Sequence, residues 1–154
     1  MSTTTKLVIR VPQSSDRPRW DELWAGYLDF YREQLPREIT DYTWERLIDP
    51  QAPLHGFLAV HEGQAVGFVH YHFHLSTWSA NGYCYLEDLF VDPAIRGIGV
   101  GRALIEAVYA AADAHGVTRV YWHTENDNAR AQALYNQLAT LAPFVQYRRK
   151  QQPS

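Results

Sequence analysis

The chain has 154 residues, enough for one domain with a real core and too few for two. It is 46% hydrophobic and 20% charged with a net charge of −3, a globular balance that excludes a global basic footprint for nucleic acid. Cys84 is the only cysteine, which excludes an internal disulfide and a multi-cysteine zinc site. The start, "MSTTTKLVIRVPQ", lacks the apolar core of a signal peptide. No apolar run approaches the roughly 18 residues of a membrane span, so a cytoplasmic protein is expected.

In chain order, "KLVIRV" (6–11) reads as a strand stopped by Pro12. Residues 16–33 set Trp20, Leu23, Trp24, Tyr27, Leu28 and Tyr31 at helical spacing, and Pro36 ends that run. "TWERLID" (43–49) reads as a second, short helix. "GFLAVH" (56–61) and "AVGFVHYHFHL" (65–75) form a hairpin with Gly63 at the turn. After the loop "TWSANG" comes the strand "YCYLEDLFV" (83–91). A helix over 101–115 turns Leu104, Ile105, Val108 and Ala112 inward and stops at Gly116. "TRVYWHT" (118–124) reads as a strand, 126–139 as a helix capped by Asn126 or Asn128, and "FVQYRRK" (144–150) as a closing strand. This order predicts one α+β domain over 1–154, a mixed sheet covered by helices.

The stretch "Arg96-Gly-Ile-Gly-Val-Gly-Arg102" joins a strand to a helix. Backbone N–H groups in such a loop, with the positive end of the next helix, make an anion site. Gly97, Gly99 and Gly101 permit close approach and Arg96 and Arg102 add charge, which points to a phosphate or pyrophosphate ligand. The P-loop lysine is missing, and the third glycine comes one position early for a dinucleotide fingerprint. An oxidoreductase of that kind is therefore a distant alternative.

"Arg96-Gly-Ile-Gly99-Val-Gly101" matches the [Q/R]-x-x-G-x-[G/A] loop that holds the acetyl-CoA pyrophosphate in the GNAT N-acetyltransferase superfamily. "FVDP" precedes it as in that family, and "Asn128-Ala-Arg-Ala-Gln-Ala-Leu-Tyr135" resembles the family's N-x-x-A-x-x-L-Y helix. "YLEDLFV" resembles the diamine (spermidine/spermine) N-acetyltransferases. The region from "VYWHTENDNARAQALYNQLA" onward resembles the fungal Hpa-type histone/polyamine acetyltransferases. One departure is "LYNQLATLAPF", where many members read L-Y-x-x-x-G-F.

The resemblance implies a mostly antiparallel sheet of about six or seven strands, splayed at the acetyl-CoA site and flanked by about four helices. The cofactor-binding core would span roughly 83–140. Acetyl-CoA would be the co-substrate, with no metal. It would be bound by Leu89, Phe90, Val91, Arg96, Gly97, Ile98, Gly99, Val100, Gly101, Arg102, Asn128, Ala131 and Tyr135. The acceptor would be a small amine or a protein lysine, and the assembly a homodimer paired through the closing strand. A non-catalytic acyl-CoA-binding domain on the same scaffold is the alternative, which the presence of both Glu87 and Tyr135 disfavours.

Acetyl transfer needs a neutral amine and hence a general base. Glu87 and Asp88 are adjacent, so a regular strand turns them to opposite faces and only one meets the acceptor. Glu87, expected to be buried among Tyr83, Tyr85 and Leu89, matches the base of the diamine acetyltransferases. Asp88 and His123 stay open as alternatives. Tyr135 falls where the family places the acid that protonates the departing thiolate, or else packs in an apolar stripe. A β-bulge near Leu89 to Val91 would free amides to polarise the acetyl carbonyl. His70, His72 and His74 alternate on one strand face and read as a pocket wall or a solvated sheet face rather than a metal site. Trp20, Trp24, Tyr27, Tyr31 and Trp78 form a cation-binding wall or simply core. Cys84 reads as packing.

Overall fold

The computed structural model describes residues 6–95 and 97–151. Two compact units make up the chain, Met1–His123 and Thr124–Ser154. The first holds β1 (Leu7–Arg10), a 3-10 turn at Ser14–Asp16, α1 (Arg17–Phe30), α2 (Arg37–Ile48), β2 (His55–His61), β3 (Gln64–His74), β4 (Tyr83–Val91), α3 (Val100–His115) and β5 (Val120–Tyr121). The second holds α4 (Ala129–Leu138).

The sheet has five strands in the order β1-β2-β3-β4-β5, rather than the six or seven expected. β1 to β4 pair antiparallel, and β5 joins β4 in parallel. Two predicted strands account for the difference in extent. The run at 118–124 shrinks to Val120–Tyr121 because only Cys84 and Tyr85 of β4 offer it a ladder. "FVQYRRK" forms no strand, since no sheet edge pairs with it among the described residues. α2 begins six residues earlier than its apolar pattern implied, directly after Pro36, whose fixed φ suits a helix start. The β2–β3 turn places Glu62 and Gly63 both at positive φ (53° and 77°), the two-residue hairpin geometry that matches strand twist.

The two sheet faces have different cover. On one, Phe68 and His70 of β3 meet the rings of Trp24 and Trp20 of α1. Trp20 is fully buried, and Trp44 and Leu47 of α2 complete that cluster. On the other face lie Val69, Tyr71 and Phe73, with Phe73 stacked on His115 of α3 at 3.8 Å. α3 buries Val100, Leu104, Ile105, Val108 and Ala112. Each of the larger aliphatic side chains contributes about 1.5–3 kcal/mol of burial. The apolar stripe predicted for this helix is the one it buries. Cys84 is buried in β4, and burial pushes its thiol up to about 11, so it packs rather than reacts.

Candidate active site

The glycine loop leads straight into α3. Gly97 and Gly99 both adopt φ of 76°, a left-handed conformation that side chains with a Cβ rarely take. A Cβ built at either position would meet nothing within 4 Å. These two glycines are thus required by backbone conformation, and the space before them is open. Gly99 is the N-cap of α3 with no side-chain cap, and its carbonyl accepts the first helical bond from the amide of Ala103 at 3.0 Å. The amides of Val100 and Gly101 precede that bond, in the turn whose N–H groups a helix leaves without an acceptor of its own. Ile98 is exposed, Val100 is buried, and Arg102 lies 3.8 Å from Glu106. Arg96 lies outside the described residues.

Asp92 ties the start of this loop to α1. Its carboxylate accepts from the amide of Ala94 at 2.9 Å and from Arg19 at 2.7 Å, which holds its carboxyl below the usual carboxylate range. The Arg19 Nε donates in turn to the carbonyl of Ala65 at 2.8 Å.

β4 runs into the loop. Its β5 edge is paired only at Cys84 and Tyr85. From Leu86 to Val91 no strand covers that edge among the described residues. Leu89, Phe90 and Val91 pair with Val69, Phe68 and Gly67 on the other edge, and all three are half-buried.

The bulge lies elsewhere than expected. Leu86 pairs with Tyr71 and Asp88 with His70, which leaves Glu87 as the extra residue. The ladder is regular over Leu89–Val91, where the sequence reading put the irregularity. The bulge also overturns the alternation argument for the two carboxylates. Asp88 stands opposite His70 and Tyr85 opposite His72 on one face of β3, and the Glu87 charge acts on Tyr85, so the two carboxylates lie toward the same side. Glu87 is exposed rather than buried among Tyr83, Tyr85 and Leu89. Asp88 is largely buried, at 14% side-chain exposure.

Each carboxylate has its own partners. Asp88 accepts from the Tyr27 hydroxyl at 2.7 Å and from His70 Nδ1 at 2.9 Å. Burial and then the Asp88 charge push the Tyr27 phenol far above its ordinary range, so it remains a donor. Burial followed by the Glu87 charge pushes the Tyr85 phenol up to about 12. The same hydroxyl lies 2.9 Å from Nδ1 of His123. Tyr85 thus bonds His123 and lies within reach of the Glu87 charge.

The histidine face divides. His70 is buried and committed to Asp88 and Trp20. His74 bonds the Tyr121 hydroxyl at 2.7 Å, and His72 meets Tyr85 edge-on. The aromatic wall divides too. Trp20 and Trp24 are core, Tyr27 and Tyr31 pack 4.9 Å apart beside Asp88, and Trp78 is 85% exposed on its loop. The Tyr27–Asp88 and Trp20–His70 contacts span 61 and 50 residues, and no local pattern signals them. Tyr85 was visible only as a strand aromatic. In the second unit, the Asn128 side chain accepts from the amide of Ala131 at 3.3 Å and caps α4, which carries Tyr135.

A sequence model described as the acetyltransferase (GNAT) family matches residues 20–139. The D-amino-acid N-acetyltransferase HPA3 of Saccharomyces cerevisiae is 40% identical over 146 residues, 94% of this chain and 91% of that protein. A thialysine N-epsilon-acetyltransferase of Caenorhabditis elegans is 31% identical over 83 residues, about half of each chain (54% and 51%). Among solved structures, the aminoglycoside N-acetyltransferase AAC(6')-Iy in complex with CoA superposes with a TM-score of 0.75 at 23% identity, covering 97% of this chain and 98% of that one. A ribosomal-protein-alanine N-acetyltransferase from Brucella melitensis gives a TM-score of 0.73 at 19% identity, over 96% and 99%. These structures share the fold. Because the family match runs from α1 through the glycine loop to the end of α4, the chain belongs to the acetyltransferase (GNAT) family and is an acetyl-CoA-dependent N-acetyltransferase.

Proposed function

We propose that the protein acetylates a small primary amine by direct transfer, with Glu87 as general base and Tyr135 as general acid. The observation that carries this reading is the exposed bulge residue Glu87 on the strand that runs into the glycine loop. Acetyl-CoA supplies the activated thioester. The amides of 97–102 and the start of α3 hold its pyrophosphate, with Arg96 and Arg102 adding charge. The uncovered edge of β4 from Leu86 to Val91 offers backbone groups to the pantetheine arm and the acetyl oxygen. Asn128 and Ala131 complete the cofactor contacts that the motif assigns.

Glu87 accepts the proton that leaves nitrogen as the amine bonds to the acetyl carbon. Tyr135 donates a proton to sulfur as the carbon–sulfur bond breaks. A phenol near ~10 suits a thiolate of similar basicity. Tyr135→Phe keeps the ring and removes the donor. It should lower kcat by ~10² while CoA affinity stays within about twofold, and raising the pH should not restore it. A wild-type kcat in this variant would make the tyrosine a packing residue.

Similarity to a D-amino-acid N-acetyltransferase over most of the chain supports a free amino acid as the acceptor. The imidazoles and phenols of His72, His74, Tyr85, Tyr121 and His123 beside Glu87 are chemically suited to a carboxylate-bearing substrate. Thiol release from acetyl-CoA should therefore be faster with D-amino acids than with a polyamine, an aminoglycoside or a lysine peptide. Preference for a polyamine would overturn the acceptor and leave the transferase intact. The resemblance also supports a cytoplasmic homodimer, which a light-scattering mass equal to the 17.8 kDa chain would exclude.

A further inference from the structure

The β4 bulge moves Asp88 to the face that Glu87 would hold in an unbroken ladder. In an unbroken ladder Glu87 would stand opposite His70, and Asp88 would fall opposite Val69. Val69 is fully buried on the side of the sheet where Val100 and Leu104 of α3 approach. A carboxylate there would be desolvated in apolar surroundings. In the bulged register Asp88 instead meets two donors, Tyr27 and His70.

His70 is 2% exposed, and both of its nitrogens are engaged. The indole Nε1 of Trp20 donates to His70 Nε2 at 3.2 Å. An indole N–H has no acceptor role, so Nε2 must be bare. The single ring proton then lies on Nδ1 and points at Asp88, 2.9 Å away. Phe68 stacks on the imidazole with centroids 4.5 Å apart, and Trp24 packs at 5.5 Å, which fixes its plane. The donors run in series from Trp20 through His70 to Asp88, and Tyr27 closes the other carboxylate oxygen.

We propose that the Trp20–His70–Asp88–Tyr27 chain is a latch that holds the β4 bulge, and that His70 is a positioning residue that keeps Glu87 turned out of the ladder toward the acceptor. The latch rests on the reading of Glu87 as base. His70 is too deeply enclosed to touch the acceptor and acts only through Asp88. A bulge beside a reacting group re-aims a side chain, and a displacement of about 1 Å at such a group costs ~10²-fold in rate.

The test is a double-mutant cycle with a conservative rescue. His70→Leu fills the volume without hydrogen bonds. His70→Gln restores an acceptor for Trp20 and a donor for Asp88. His70→Leu should lower kcat by ~10–10² and leave the KM for acetyl-CoA within about threefold, and His70→Gln should recover most of the loss. Adding Glu87→Gln to His70→Leu should cost far less than it costs the wild type, because the base is already misplaced. Full additivity, or a wild-type kcat in His70→Leu beside a crippled Glu87→Gln, overturns the latch and leaves the base assignment standing. A fully active Glu87→Gln overturns both. Should His70→Leu fail to fold, Tyr27→Phe removes one donor to Asp88 and keeps the ring. An unchanged kcat with full additivity toward Glu87→Gln in that variant likewise overturns the latch.

Discussion

Glu87→Gln should lower kcat/KM by ~10²–10⁴ at pH 7, or about 3–5 kcal/mol of transition-state stabilisation. The amide keeps the shape of the side chain, but it cannot take the amine proton. The loss should shrink as the pH rises. For an alkyl amine with a pKa near ~10.4, the neutral fraction grows about a hundredfold between pH 7 and pH 9, so the need for a base falls in step. A variant that is inactive at every pH would have lost structure rather than a base. The measurement is the pH–rate profile of wild type and variant with one amine.

Three side chains compete for the role, and their partners rank them. Asp88 holds two donors on its two oxygens and is largely enclosed, so a proton from the acceptor has poor access to it. His123 is exposed and shares the Tyr85 hydroxyl at 2.9 Å. Glu87 is exposed and stands on the bulge. If Glu87→Gln keeps full activity at pH 7 while His123→Ala abolishes it, the base is His123.

How much of this was legible in the sequence depends on the range of the interaction. The glycine loop was readable because its demand is local. A run of glycines before an apolar helical stripe marks a strand-to-helix junction, and two of the three glycines do take a left-handed φ. The α3 stripe was readable for the same reason. Strand 83–91 was found to the residue, yet its inner register was not. Nothing between Tyr83 and Val91 records that His70 waits opposite Asp88, or that Tyr27 closes it from a helix 61 residues away. Alternation put the carboxylates on opposite faces, and the long-range donors, by favouring the bulge, put them on one. β5 and the closing strand failed differently. β propensity marks a segment able to pair, and an available edge decides whether it does. Val120–Tyr121 finds two residues of β4, and "FVQYRRK" forms no strand among the described residues.

Gly101→Glu should weaken CoA binding by well over tenfold while leaving the fold intact, because it separates binding from stability by sign. Gly101 is the second residue of α3, where a carboxylate favours the helix dipole and a glycine-to-glutamate change improves helix propensity. Thermal stability should therefore hold or rise. The same carboxylate stands at the amides proposed to cradle the pyrophosphate. Two like unit charges 4 Å apart repel by about 4 kcal/mol at an effective dielectric of 20, so a loss of ~1.4 kcal/mol, or tenfold, is a modest expectation. Gly99→Asp is the less clean test, since φ there is 76° and a side chain adds backbone strain to the charge. Gly101→Ala separates the two remaining causes. It adds a methyl group and no charge, so affinity near wild type assigns the Glu effect to repulsion, and a loss matching that of Glu assigns it to close approach. Calorimetric titration of CoA into each variant, with circular dichroism alongside, gives the answer. Unchanged affinity in a folded Gly101→Glu would remove the pyrophosphate from this loop.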